Sequence, residues 1–373
     1  MSSPSVIVSG MIAATPGQGG ATWAILQYLL GLGDMGCAVL FVEPVEDLSP
    51  GRVAYCRDVM ARFGLDDRWA LVQPGRIETA GMSRTALRAA AHSADVLLNV
   101  SGMLTDPDVL AHVPVRVYLD LDPAFVQLWH AAEGIDMRFD GHTHFVTVAD
   151  AIGSPGCAIP TCGRTWIPTL PPVSLAHWPV AGHLMHDALT TVAHWRGYGS
   201  IQHAGVHYGQ KAHSLRPLVD LPTRTPERFL LALGIDPAET GDIEALRTHG
   251  WSLVDPAAVA GSPDAYRAFV QGSKAELGIA KSGYVVSGSG WFSDRSACYL
   301  ASGRPVIAQD TGIGRRLPTG KGLFAFRDAD DVVAAIEDLR ADEAGHRRAA
   351  RQIACDLLAA DVVLGALLDR VAG

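Results

Sequence analysis

A chain of 373 residues, 48% hydrophobic and 18% charged, has apolar material for two cores and too little charge for disorder. The formal net charge is −9, and the sequence shows no basic face to hold a phosphate backbone, so no nucleic-acid partner is expected. There is no signal-peptide pattern, no apolar run of membrane-spanning length and no Cys-x-x-Cys among Cys37, Cys56, Cys157, Cys162, Cys298 and Cys355. The expectation is a cytoplasmic chain without membrane span, disulfide framework or structural metal.

In chain order, 5–13 reads as an apolar strand that runs into Thr15-Pro16-Gly17-Gln18-Gly19-Gly20, then a helix over 21–32 and a strand over 38–42 closing on Glu43. Strand, glycine-rich turn, helix and strand make a βαβ unit, whose crossover demands a parallel sheet. Further strands are expected at 70–72, 96–100, 115–119 and 145–148, with a helix at 83–92. This is one doubly wound domain, 1–165. The segment 166–180 holds Pro168, Pro171, Pro172 and Pro179 and reads as a stiff linker. The pattern then restarts over 181–355, with strands at 189–194, 229–233, 252–254, 277–280 and 305–309 between helices such as 263–271 and 294–302. A helical tail follows, bent near Asp361, its last part (356–373) packing back on the first domain. Two such domains leave a cleft at the carboxyl ends of both sheets, where ligands bind.

The strongest motif is the loop Ser287-Gly288-Ser289-Gly290-Trp291-Phe292 running into Ser293-Asp294-Arg295-Ser296 at a helix start. Free N–H groups there attract an anion, and Arg295 can fork onto a phosphate. Downstream come Gly303-Arg304-Pro305-Val306 and Asp310-Thr311-Gly312. Together these stretches resemble the donor half of GT-B glycosyltransferases, most nearly the CgeB-like, spore-protein-like branch. The resemblance implies an α/β GT-B fold and transfer of a sugar from a nucleotide-diphosphate sugar to a hydroxyl on a small-molecule or glycan acceptor. It also implies that Gly290, Ser293, Asp294, Arg295 and Ser296 cradle the diphosphate, and that Asp310 or Thr311 faces the sugar or ribose. Many such enzymes place a ribose-binding glutamate where this chain has Cys298; Glu276 is the possible substitute. Arg196 and Lys211 are similar to the cations that retaining members set on the leaving diphosphate. With these side chains carrying the charge, neither metal nor cofactor is expected.

Gly19 and Gly20 let the backbone approach a ligand closely. A dinucleotide site is the competitor there, since Glu43 stands where a ribose-binding acid would fall, although the glycine pattern is imperfect. Asp120 and Asp122, at a strand's carboxyl end in the acceptor domain, are candidate bases for the acceptor hydroxyl. Asp122-Pro123 also suits an Asx turn capping the next helix. His142 and His144, in a polar turn before the next strand, are the reserves. The rival functions are a nucleotide-sugar epimerase of the same fold, an NAD-dependent oxidoreductase and a non-catalytic nucleotide-sugar-binding module.

Overall fold

The computed structural model describes residues 4–372. The first sheet is built from β1 (Ser5–Ser9), β2 (Ala38–Pro44), β3 (Trp69–Val72), β4 (Thr79–Gly81), β5 (Val96–Val100), β6 (Val115–Asp120), β7 (His144–Thr147) and β8 (Trp166–Pro168). Their spatial order is β4-β3-β2-β1-β5-β6-β7-β8, parallel throughout except that β4 runs against β3. The core strands are unbroken apolar runs because helices cover both faces of the sheet. Val6, Ile7 and Val8 of β1 and Leu97 and Leu98 of β5 are buried.

The second sheet contains β9 (His186–His194), β12 (Phe229–Gly234), β13 (Ser252–Val254), β14 (Ser273–Gly278), β15 (Val306–Gln309) and β16 (Leu323–Phe326). Its order is β13-β12-β9-β14-β15-β16, all parallel; β10 (Ile201–His203) and β11 (Val206–Tyr208) form a separate hairpin. In each sheet the chain winds outward from the first strand and then reverses to its other side. The reversal opens a crevice beyond the carboxyl ends of β1 and β5, and another beyond β9 and β14.

Two segments cross between the sheets, and they pair with each other. Val173 N–H donates to Leu358 at 2.8 Å and Ala360 N–H to Val173 at 3.0 Å. Beyond this crossing the helix Ala360–Ala372 lies against the helix Gly19–Asp34. A Cβ on Gly31 would stand 2.5 Å from the Ala360 Cβ, so only glycine lets the two helices approach this closely. The proline-rich stretch differs from a pure connector at its start, since Trp166–Pro168 is the edge strand β8. A missing proline N–H is tolerated at a sheet edge. The tail breaks at Ala359, after a π-helical turn over Ala354–Leu358. There the backbone is extended to pair with Val173.

Candidate active site

A cavity of about 360 Å³ lies between the halves at both crevices. Gly17, Gln18, Gly20 and Ala21 line it from the first half; Val192, Ala193 and His194 at the end of β9, with Tyr266, Asp294 and Arg295, line it from the second. The helix Asp294–Ala301 points its amino end into this space, and Ser293 caps it by accepting the Arg295 N–H at 3.2 Å. The remaining amides of that turn and the helix dipole make the wall attractive to an anion.

Arg295 lines the same wall, while Lys211, near enough to feel its charge, does not line the cavity. Arg295 donates from Nε to Glu276 at 2.5 Å and from a terminal nitrogen to the Val192 carbonyl at 2.9 Å. Lys211 donates to the Ile279 carbonyl at 2.8 Å. Burial holds the Lys211 amine well below its ordinary range, and the positive charges of Arg295 and Lys281 add to the effect. Burial likewise lowers His194, reinforced by Lys211 and Lys281. An anion in the cavity would relieve this crowding of positive charge.

Asp294 reaches beyond the main cavity. It also lines a second space of about 110 Å³, walled by Ala24, Tyr28, Leu121, Val148, Trp291 and Phe292 with Pro171 and Pro172. Desolvation raises its carboxyl above the ordinary range, opposed by Arg295.

Several residues expected in the site lie elsewhere. Arg196 pairs with Glu239 at 2.5 Å, its side chain is 39% exposed, and it does not line the cavity. After β9 the chain turns toward the amino end of the helix Thr240–Thr248, where that acid sits. Glu276 is fully buried, with one oxygen on the Arg295 guanidinium and the other without a partner, and it does not line the cavity. Gly19 packs rather than binds, since a Cβ there would lie 2.2 Å from the Ser262 carbonyl of the other half; Gly20 does line the cavity.

Gly290, Asp310 and Thr311 brace the loop ahead of the helix instead of facing the cavity. Gly290 N–H donates to the Thr311 carbonyl at 2.7 Å, the Thr311 hydroxyl to Trp291 at 2.5 Å, and Asp310 accepts the Gly312 N–H at 2.8 Å. The Ser289 carbonyl accepts the N–H groups of Asp150 and Ala151 across the cleft, so the loop is clamped rather than open. Ser296 is buried against β14 and β15. Cys298 is buried and accepts a hydrogen bond from Gln27 at 3.4 Å, which fixes two helices together where a ribose acid was expected.

The acceptor-side candidates are also reassigned. Asp120 has no exposed surface; it accepts from Gln127 and Thr147, each at 2.8 Å, and from the Asp122 N–H at 2.9 Å. It organises the turn and is closed to substrate. Asp122 binds Lys281 at 3.0 Å and the hydroxyls of Tyr198 (2.5 Å) and Tyr284, all from the second half. Its carboxylate is an ionic latch across the cleft, saturated with donors. His144 pairs with Val117 in register, at the amino end of β7. That is three residues from Asp120, or about 10 Å from the cleft edge.

Glu43 accepts the N–H groups of Ile12, Ala13 and Ala14 at 2.7–2.9 Å and is completely buried. It holds the loop after β1, so neither oxygen is free for a dinucleotide ribose. Lys281, His194 and Tyr284 carry much of the geometry yet stand in no motif: His194 ends β9, Lys281 follows β14 and Tyr284 lies in the short helix Ser282–Ser287. Among the described residues no three His, Cys, Asp or Glu side chains are placed to share a metal ion. No helix there is long and apolar enough to cross a membrane.

No family model matches the chain, and no curated protein sequence matches it. Solved structures do. An α-glucosyltransferase in complex with UDP and a 13-mer DNA containing an A:G mismatch superposes with a TM-score of 0.63 at 10% identity, covering 100% of both chains. The same kind of enzyme with UDP-glucose and DNA containing an abasic site gives 0.59 at 11% identity over 99% of each chain. Anabaena Alr3699/HepE in complex with UDP and glucose gives 0.58 at 9% identity over 99% of each. The exclusion of nucleic acid drawn from net charge is thereby overturned, because the α-glucosyltransferase that superposes on this chain holds DNA together with UDP or UDP-glucose. Net charge is a property of the whole surface, whereas a backbone is gripped by a local patch. Two Rossmann-like sheets facing across a cleft, with full-length superposition on such enzymes, make this chain a GT-B fold.

Proposed function

We propose that the protein is a glycosyltransferase that binds a nucleoside diphosphate sugar in the 360 Å³ cavity and passes the sugar to a hydroxyl group. The observation that carries this reading is the helix amino end at Asp294, which opens with Arg295 onto a cavity whose facing wall is the glycine-rich turn of the other half. A departing diphosphate gains negative charge as the glycosidic bond breaks, and fixed positive charge in a dry site stabilises it. His194, kept neutral, is available to accept or donate a hydrogen bond to the ligand. The structures that superpose on this chain hold UDP or UDP-glucose, and UDP-glucose is the first donor to try. Membership of the CgeB-like branch rests on Gly303–Val306 and Asp310–Gly312.

The test is calorimetric titration and thermal melting with UDP, with NAD as the comparator. UDP at 100 times its dissociation constant should stabilise the protein by about 2.7 kcal/mol. Lys211→Ala should weaken UDP binding at least tenfold and slow release of glucose from UDP-glucose by roughly 10²-fold. Turnover should persist in EDTA, since side chains carry the charge. Stabilisation by NAD and not by UDP would overturn the reading.

A further inference from the structure

We infer that the 110 Å³ space beside the donor cavity is the acceptor subsite, that it takes a single-ring aromatic or similarly flat apolar alcohol, and that Asp294 is the group that receives the acceptor's proton. This rests on the glycosyltransferase reading above. Asp294 lines both spaces. A sugar carbon passing from one ligand to the other must cross the boundary that this carboxylate occupies.

The walls specify the acceptor. Leu121 and Val148 come from the ends of β6 and β7 and Ala24 from the first helix, while Trp291 and Phe292 come from the loop of the other half. Trp291 stacks on Tyr284 with centroids 4.2 Å apart and an interplanar angle of 24°, so its indole plane is fixed. A preset aromatic plane against aliphatic side chains suits a flat apolar ring. An apolar cavity of about 150 Å³ admits benzene, so the smaller space here takes at most one ring. The lining side chains that carry oxygen are Asp294 and Tyr28. The Tyr28 side chain is buried, and its hydroxyl has no hydrogen-bonding partner. A buried unpaired hydroxyl is costly, and an acceptor's oxygen would satisfy it.

The step is balanced by groups in place. The acceptor oxygen forms a bond to the anomeric carbon as that carbon's bond to the diphosphate oxygen breaks. The electron pair leaves with the diphosphate, and the hydroxyl proton passes to the Asp294 carboxylate. Desolvation favours the neutral acid that results.

Two measurements test the inference on the full chain. Saturation-transfer NMR should show phenol bound, and Ala24→Leu, which fills the space, should weaken that binding at least tenfold while UDP affinity stays within twofold. With UDP-glucose as donor, phenol or benzyl alcohol should be glucosylated with a KM at least tenfold below that of glycerol. Asp294→Asn should cut kcat 100-fold or more while leaving UDP affinity equal or tighter, because a negative charge beside the diphosphate is removed. If Ala24→Leu fails to fold, Leu121→Phe fills the same space from the opposite wall. Phenol binding that neither variant disturbs, transfer to duplex DNA but to no free aromatic alcohol, or full kcat in Asp294→Asn would each overturn the inference. Absence of UDP binding, with phenol still lost on filling the space, would instead overturn the glycosyltransferase reading.

Discussion

Asp120 is a fully buried carboxyl group whose bonding partners are neutral, and burial pushes its pKa up to about 6. In the unfolded chain the group titrates near its ordinary value of about 3.9. Its folded pKa is therefore the higher one, and the stability it confers is complete below pH ~4 and is lost as pH rises through ~6. The loss over that window should be on the order of 2–3 kcal/mol. Asp120→Asn should lower stability at every pH, since an amide cannot accept from three donors, and should flatten that slope. Urea unfolding at several pH values between 4 and 7 measures both effects. Arg295 makes a second case. Arg295→Met leaves Glu276 buried and unpaired and should cost about 3–5 kcal/mol, whereas Arg295→Met with Glu276→Leu should recover most of it. These buried pairings are invisible in a sequence. The helix start at Ser293 was legible from its capping pattern, but whether Glu276 would face a ribose or an arginine depends on which strand it flanks. Lys281 and His194 went unread because a single residue at or after a strand's end carries no spacing signal.

At the scale of elements, the parallel strands were legible because unbroken apolar runs between helical segments leave few alternatives. The glycines were legible as special positions, but not in what they approach. Gly19 and Gly20 open the same helix, yet one packs against Ser262 of the other half and one lines the cavity. Gly19→Ala should destabilise by about 1–3 kcal/mol, as overpacking does. Gly33→Ala, later in the same helix where no atom lies within 4 Å of the added Cβ, should stabilise by roughly 0.5–1 kcal/mol. Chemical denaturation of the pair separates an interface effect from helix propensity. The glycine-rich loop before Ser293 reads as a mobile cradle from composition alone. Its bonds to Thr311, Asp150 and Ala151 come from segments distant in sequence, which is why its rigidity could not be foreseen.

For the whole molecule, the halves meet on both sides of the cavity. Asp122 with Lys281, Tyr198 and Tyr284 closes one side, joined by Arg315 on Asp150 at 2.6 Å; Gly19 on Ser262 closes the other. Asp122→Ala with Arg315→Ala should loosen the first side only. Spin labels placed on the two sheets should then show a broader, longer distance distribution, which UDP narrows again; an unchanged distribution would mean that the polar contacts follow closure and do not hold it. Closure is also limited at the crossing, because Val173 is hydrogen-bonded to both residues flanking Ala359, so the two crossing segments must flex together. The return of the last helix has a consequence for synthesis. The first half leaves the ribosome early, but the groove around Gly31 stays uncovered until Ala360–Ala372 emerges. The first sheet must therefore wait, incompletely covered, while the entire second sheet is made. A ribosome-stalled chain ending at residue 358 should bind hydrophobic dyes and chaperones through that groove, and adding the last helix as a free peptide should displace them.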